Sequence, residues 1–256
     1  MTESFYRNIA ALQQGSTACA EHERVDFNTW VINQLEVRQG DSVLNVGCGT
    51  VFQTLTLAQA VGYEGHVLAI DRSYTVLQAL SQTSQKNGLE QRIRFLYLHL
   101  DDLGGHLRRE DFDRALGTRA LYHVRQPQEV FRAVHQALKP GGIFFFYGPS
   151  RKDLAELRLF QAALHDEASP QENRALLFIE RIGLPCARDV FPQVEVIPFE
   201  NPLRFDSAAD FYACWRESRL YDETLEQEFQ QAAVSHFQSH PVFETSQRLI
   251  GVRAIK

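Results

Sequence analysis

The stretch with the most chemical content is Val43-Leu44-Asn45-Val46-Gly47-Cys48-Gly49-Thr50. An apolar run leads into two glycines one residue apart, and an amphipathic stretch follows. That order predicts a strand turning sharply into a helix. Glycine has no Cβ, so at Gly47 and Gly49 the backbone can turn tightly and let a ligand approach closely. The plain alternative is a tight strand-to-helix turn that binds nothing. A dinucleotide fingerprint needs a third glycine three residues after the second; Phe52 stands there, which disfavours a nicotinamide cofactor. The next apolar run closes with Ala69-Ile70-Asp71, with Arg72 behind it. A carboxylate at the end of a second strand is placed to accept hydrogen bonds from both hydroxyls of a ribose. Asp71 or Ser73 also suits the N-cap of the following helix, and both roles can hold together. The glycine turn and Asp71 jointly point to an adenosine-containing ligand.

Among the histidines, His123 is the best candidate for a general base, because an unperturbed imidazole titrates near neutrality. A structural histidine bonded to the backbone is the equal alternative. His165 and His22 are weaker candidates, and His66, His106, His135, His236 and His240 are expected at the surface. Cys19, Cys48, Cys186 and Cys214 are scattered with no Cys-x-x-Cys spacing, so neither a zinc site nor a disulfide framework is expected. No His-Glu-x-x-His or similar spacing supports a metal.

These residues need elements to hold them. Ser42–Val46, His66–Ile70, Ile93–Leu98, Asp113–Gly117 and Gly142–Tyr147 read as strands, continuously apolar as in a parallel sheet buried on both faces. Helical stretches at Thr50–Ala60, Ser73–Lys86 and Gln128–Leu138 separate most of them. Strand–helix–strand repetition predicts a doubly wound α/β core over 40–148. An N-terminal helical lid segment is expected over 1–39, with the stripe Phe27, Trp30, Val31 and Leu35 in it. After Gly148 the rhythm changes, and 149–256 is expected to supply helices that cover the substrate and two last strands, Val194–Phe199 and Gln247–Ala254. Helices are expected near 151–168, 171–182, 207–219 and 222–238. The stripe Leu225, Phe229, Ala233 and Phe237 reads as core.

In an open parallel sheet ligands bind beyond the carboxyl ends of the strands, where all these candidates fall. The 256 residues suit one large domain, or one domain with a substantial insertion, and 44% hydrophobic content excludes a disordered chain. Lys+Arg 26 against Asp+Glu 32 leaves a net charge of −6, which argues against a nucleic-acid partner. The densest apolar run, Ile143 to Tyr147, is far below the ~20 residues of a membrane helix. The N-terminal MTESFYRN shows no signal region, so a soluble cytoplasmic protein without membrane partners is expected. Oligomeric state is unreadable.

The sequence resembles the class I S-adenosylmethionine-dependent methyltransferases, most closely the small-molecule branch of the ubiquinone/menaquinone-biosynthesis type. VLNVGCGT looks like the family's first motif, and GHVLAID like its ribose-binding strand end. FDRALGTRALYHV resembles its fourth-strand motif, and LKPGGIFFFY its turn into the fifth strand. The resemblance covers about 40–148, in order. It implies a Rossmann-like, seven-stranded, mostly parallel sheet with N-terminal helices and a helical insertion after the fifth strand, with S-adenosyl-L-methionine as cofactor. It implies a cofactor site of Asn45, Gly47, Cys48, Gly49, Asp71, Arg72, His99, Leu100 and Gly117. Within it Gly47 and Gly49 would line the methionine part, and Asp71 would hold the ribose. His99 and Leu100 would sit beside the adenine, with Asp101 or Asp102 as substitutes. Gly117 would lie beneath the cofactor, and Leu121 and catalytic His123 would face a small-molecule acceptor.

Two positions depart from that pattern. Asn45 stands where an acid is usual and lacks the charge-assisted strength of a carboxylate toward an ammonium group. Val51 stands where a third glycine is usual and puts a β-branched side chain near the ligand. Weaker or displaced cofactor binding is therefore expected. A protein of this fold that binds the cofactor or an analogue without methyl transfer, of cyclase, isomerase or non-catalytic type, is the competing reading. Tyr6, Trp30 and Tyr147 offer aromatic faces to a cationic methyl donor. Leu157, Phe160, Leu164, Phe178 and Trp215 suit a largely apolar acceptor, with core packing as the alternative for each. An Asn/Asp-Pro-Pro-Tyr/Phe signature is absent after the fourth strand, which disfavours nucleobase amines.

Overall fold

The structure, a computed structural model, describes residues 27–49, 51–164 and 174–256. Tyr6, Cys19, His22 and His165 lie outside the described residues, as does the side chain of Val51. The first described element is helix α1 (Phe27–Leu35), followed by β1 (Ser42–Val46), α2 (Val51–Ala60), β2 (His66–Asp71), α3 (Tyr74–Lys86) and β3 (Ile93–Tyr97). A 3-10 turn over Leu100–Gly105 leads to β4 (Phe112–Gly117), and a second over Arg119–His123 leads to α4 (Pro127–Ala137) and β5 (Leu138–Pro149). Then come α5 (Ala155–Ala162), α6 (Arg174–Phe178), a π-helical turn (Ile179–Gly183) and α7 (Leu184–Val190). Strand β6 (Gln193–Phe205), α8 (Ala208–Glu217), a 3-10 turn (Glu223–Leu225), α9 (Glu226–Ser239) and β7 (Phe243–Ile255) complete the chain.

The strands form one seven-stranded sheet in the order β3-β2-β1-β4-β5-β7-β6. Strands β1 to β5 pair in parallel, with Val46 opposite both Ile70 and Gly117. The carboxyl ends of β1, β2 and β4 are therefore level, and the residues that leave them share one edge. At the start of β5 the Gly141 N–H donates to the Lys256 carbonyl and the Lys256 N–H to the Gly142 carbonyl, at 2.9 and 3.0 Å. The last residue of the chain thus sits at the first turn of β5, so β7 runs antiparallel to it. This is the doubly wound core that the strand–helix rhythm predicts and the Rossmann-like, seven-stranded, mostly parallel sheet that the family resemblance implies.

The chain gathers into two compact units. The larger comprises Phe27–Ser150, Arg174–Pro198 and Ile250–Lys256. Its core joins Leu44, Val46, Ile70, Leu116, Phe131, Phe144, Phe146, Phe178 and Val252, all buried. Phe131 meets Phe146 and Phe144 edge-on, with centroids 5.0 and 5.4 Å away, a favoured arrangement of ring quadrupoles. On α1, Trp30 packs edge-on against Phe145 at 5.2 Å and Phe27 against Tyr147 at 5.0 Å. A Cβ at Gly251 would come 2.8 Å from Trp30. In the described structure Trp30 is a packing residue of this sheet face. Strand β3 is the sheet edge and is only half-buried, unlike the others.

The other unit comprises, among described residues, 151–164 and Phe199–Leu249. Phe211, Trp215, Phe229 and Phe243 form its aromatic core, with Trp215 stacked on Phe229 at 3.9 Å. Leu225, Phe229 and Ala233 are buried in this core, as their spacing predicted. Leu157, Phe160, Leu164 and Trp215 also belong to it, and Phe178 to the core of the larger unit. All five side chains pack in the cores of their units. Cys214 is disulfide-bonded, against the expectation drawn from the scattered cysteines, and its partner lies outside the described residues.

Other expectations also change. Helix α7 carries the chain past residue 182, where the expected helix ends; Pro185 stands in its first turn, directly after the π-helical turn Ile179–Gly183. Strand β5 begins at Leu138 rather than Gly142: Gly141 at φ +76° and a register shift between Phe112 and Arg114 carry it through Lys-Pro-Gly-Gly. His66, His135 and His236 are half-buried rather than at the surface. No described helix is long and apolar enough to cross a membrane, and no described cluster of His, Cys, Asp and Glu could hold a metal.

Candidate functional site

The edge where β1, β2 and β4 end carries the sequence-derived candidates, and all of them lie in the larger unit. Gly47 adopts φ +70° and Gly49 φ +44°, conformations that side-chain-bearing residues rarely take. A Cβ on Gly47 would run into the methyl group of Ala120 and reach 3.4 Å from Leu100. Around Gly49 the nearest atom to such a Cβ is 3.6 Å away, so there the backbone conformation alone requires glycine. The Thr118 hydroxyl donates to the Gly47 carbonyl, tying the exit of β4 to the glycine turn. Cys48 is buried, its N–H donates to the Ile70 carbonyl at 2.8 Å, and burial pushes its thiol far up, so it is an inert packing thiol.

Asp71 is 9% exposed and both of its oxygens are engaged. Oδ2 accepts from the Gly49 N–H at 3.0 Å and Oδ1 from the Ser73 N–H at 2.9 Å. Ser73 in turn caps α3 through the Val76 N–H. One carboxylate thus fastens the glycine turn to the head of the next helix. Each oxygen retains a lone pair, because a carboxylate accepts about four hydrogen bonds.

Asn45 is fully buried. Its Nδ2 donates to Thr54 Oγ1 at 3.0 Å, and its Oδ1 has no hydrogen-bond partner among the described residues. A buried acceptor left unpaired costs roughly 1–3 kcal/mol. It lies two residues before Gly47, as an acceptor awaiting a donor.

At the exit of β3, His99 Nδ1 accepts from the Asp101 N–H at 3.3 Å. The same Nδ1 lies 3.3 Å from Asp101 Oδ2, so which ring nitrogen carries the proton, and what Nε2 presents to a ligand, follows from which of these two neighbours it bonds. Leu100 is buried against the glycine turn. Asp101 is committed elsewhere. Its Oδ1 accepts from the N–H groups of Arg125 and Gln126 at 2.9 and 3.0 Å, and Oδ2 from Arg125 Nε at 3.1 Å. Burial alone would raise its pKa, but these bonds outweigh it and hold the carboxyl below the usual range. Asp101 therefore braces the start of α4.

Gly117 ends β4 in a fully packed position. A Cβ there would come 2.7 Å from Leu121 and 2.9 Å from Phe146. His123 closes the following turn with its ring 4.3 Å from that of Tyr122. Partial burial, then the positive charges of Arg72 and Arg174, push its imidazole below the usual 6.5. Arg174 Nη2 donates to the Val124 carbonyl at 2.7 Å. Tyr147, offered by the sequence as a face for a cation, is buried with its hydroxyl bonded to the Gln53 amide at 2.7 Å.

Sequence reasoning missed Thr118, Thr54, Ala120 and Arg174. Thr118 directly follows a strand end and was open to the same rule that selected Asp71. Arg174 carried no signal, since its contact with Val124 spans 50 residues.

The residues present suit an adenosyl sulfonium carrying an ammonium group. Asp71 has acceptor capacity for hydroxyls, Asn45 Oδ1 is an acceptor unpaired among the described residues, and the positive-φ turn at Gly47 and Gly49 carries no Cβ toward a ligand.

Residues 38–182 match the family model described as a methyltransferase domain. A demethylmenaquinone methyltransferase from Geobacillus stearothermophilus is 31% identical over 113 residues, 44% of this chain and 47% of that protein. A 2-phytyl-1,4-naphtoquinone methyltransferase from Nostoc punctiforme is 30% identical over 159 residues, 60% of this chain and 67% of that protein. The chain spans about a third to a half of the length of the first curated relatives it matches. A SAM-dependent methyltransferase structure from Aquifex aeolicus aligns with a TM-score of 0.56 over 96% of this chain and 97% of that one, at 13% identity, and speaks to the fold alone. The family match takes in the whole of β1 to β5 and more than half of the sequence, so this chain belongs to the methyltransferase-domain family.

Proposed function

We propose that this protein transfers a methyl group from S-adenosyl-L-methionine to a small-molecule acceptor. The observation that carries the reading is the Asp71 carboxylate, buried at the end of β2 and bonded to the Gly49 N–H, so that acceptor and turn form one rigid cradle. When bound, the cofactor supplies a methyl group on a cationic sulfur, and the carbon–sulfur bonding pair leaves on a neutral thioether.

Little covalent help is asked of the protein, so alignment and exclusion of water carry most of the acceleration. Asp71 orients the ribose through its remaining lone pairs. Asn45 Oδ1 accepts from the ammonium group, and its own amide stays fixed by Thr54. Leu100 and the Gly47 turn supply the apolar wall beside them. His123, held neutral at pH 7 by its surroundings, takes up the acceptor's proton on a free imidazole nitrogen as the new bond to carbon forms.

Calorimetry with S-adenosylhomocysteine tests the cradle. The wild type should bind with one site per chain, and Asp71→Asn should lose roughly tenfold or more in affinity, as expected for hydrogen bonds to a charged acceptor. No heat at millimolar ligand would overturn the proposal. Incubation with methyl-labelled cofactor and a metabolite extract then separates a transferase, which labels a small product, from a protein that only binds.

A further inference from the structure

In the glycine turn the peptide joining Gly47 to Cys48 is held from both sides. A trans peptide is planar and points its carbonyl and its N–H in opposite directions. The Cys48 N–H donates to the Ile70 carbonyl on β2 at 2.8 Å, while the Gly47 carbonyl accepts from the Thr118 hydroxyl just past β4. The Thr118 N–H donates to the preceding carbonyl, that of Val46, at 3.4 Å. One buried residue thus bonds two successive carbonyls where β1 runs into the turn. Ala120 adds a steric contact, because its methyl group fills the space that a side chain at Gly47 would need.

The same residue starts the segment that carries His123. Thr118 is extended, and the 3-10 turn Arg119–His123 follows it directly. The Leu121 N–H donates to the Thr118 carbonyl and the Val124 N–H to the Leu121 carbonyl, both at 3.2 Å. These bonds make a short, closed path from Thr118 to His123. A threonine at the N-cap usually spends its side-chain oxygen on the N–H groups of its own first turn. Thr118 makes no such cap, and its hydroxyl goes instead to a carbonyl 71 residues away in the sequence.

We propose that Thr118 is a positioning residue that couples the two turns, so that filling the glycine turn with an adenosyl ligand and setting His123 are one event. A rotation of the Gly47 carbonyl breaks its bond to the Thr118 hydroxyl or drags Thr118 with it, and the hydrogen-bonded turn behind Thr118 follows. The base is then placed with reference to the methyl donor. The identity of the ligand rests on the methyl-transfer reading; the link between the turns does not.

Amide hydrogen exchange on the full chain without ligand tests the link. Thr118→Val keeps the shape of the side chain and removes its hydroxyl. The amides of Cys48, Gly49, Leu121 and Val124 should then exchange faster together, by roughly threefold or more, as one lost hydrogen bond implies. Thr118→Ser keeps the hydroxyl and should restore slow exchange in both turns. Thr118→Ala serves as the second variant should Thr118→Val not fold. Faster exchange in one turn only, or in neither, would overturn the coupling.

Histidine NMR reads the consequence for the base. Saturating S-adenosylhomocysteine should shift the ring resonance of His123, assigned through a His123→Gln variant, and leave His66 at the far end of β2 unmoved. In Thr118→Val the same ligand should still bind, with most of the His123 shift lost, and Thr118→Ser should recover it. A shift undiminished in Thr118→Val sinks the coupling and keeps the methyl-transfer reading. Should S-adenosylhomocysteine not bind the wild type while both turns still loosen together in Thr118→Val, that reading fails and the link between the turns stands.

Discussion

At Asn45 a single buried atom carries the proposed contact to the cofactor's ammonium group. Its Oδ1 is buried without a partner among the described residues, while Nδ2 is satisfied by Thr54. Asn45→Asp would place a charge there with no cation in the empty protein, which is strongly unfavourable in a buried setting. The Thr54 hydroxyl can turn to donate to it. Asn45→Asp should therefore melt several degrees lower without ligand, bind S-adenosylhomocysteine several-fold more tightly, and show the larger ligand-induced rise in melting temperature. Equal ligand-induced shifts in both proteins would remove Asn45 from the ammonium site. His123 makes a second prediction. A base must be neutral, and burial with two neighbouring arginines lowers its pKa from 6.5. The acid limb of kcat/KM should accordingly fall below pH 6.5 rather than at it, and His123→Gln should abolish that limb and lower kcat by roughly a hundredfold. A profile unchanged in the variant would make His123 structural.

At the scale of elements, Asp101 is the informative residue. The sequence marks it as a neighbour of the adenine position, yet it lies 24 and 25 residues from the N–H groups it accepts, at the head of α4. Helix α4 carries the buried face of Val130, Phe131, Val134 and Ala137, so its brace is felt by the core. Asp101→Ala should cost about 1–2 kcal/mol, the usual loss of a helix cap, measured by urea unfolding. S-adenosylhomocysteine affinity should stay within about threefold of wild type. A large loss of affinity at unchanged stability would instead make Asp101 a ligand contact. Gly117 belongs here too. Gly117→Ala would force a methyl group against Leu121 and Phe146, at a cost of about 1–3 kcal/mol by overpacking, and would displace the turn that carries His123.

Across the whole molecule, the titrating groups set an acid limit on stability. His66, His123 and His135 all have lowered values, and burial is the largest cause for each. A histidine whose folded pKa is below its unfolded 6.5 binds more protons when unfolded, so stability is lost as pH falls below about 6.5. Asp101, Asp113 and Glu156 are also lowered, by hydrogen bonds and nearby cations that outweigh burial. Their contribution is present above about 4.5 and lost as pH falls through the folded values. Melting temperature should decline in two stages, from pH 6.5 to 5 and again below 4.5. Flat melting down to pH 5 would show that these histidines titrate normally in the fold.

What the sequence by itself determined is the part of the molecule that local physics encodes. Continuous apolar runs and their spacing set the strands and helices of the core. The paired glycines set a turn with positive φ, and Asp71 stood at a strand end by count alone. The order of these features carried the family resemblance, and family membership follows the same stretch. The tertiary structure decided what meets across distance: Asp101 committed to α4, Thr118 closed on Gly47, Arg174 brought beside His123, and β7 reversed against β5. None of these has a local signature, because a side chain's propensity describes its own backbone. Its partner is chosen only when folded surfaces come together.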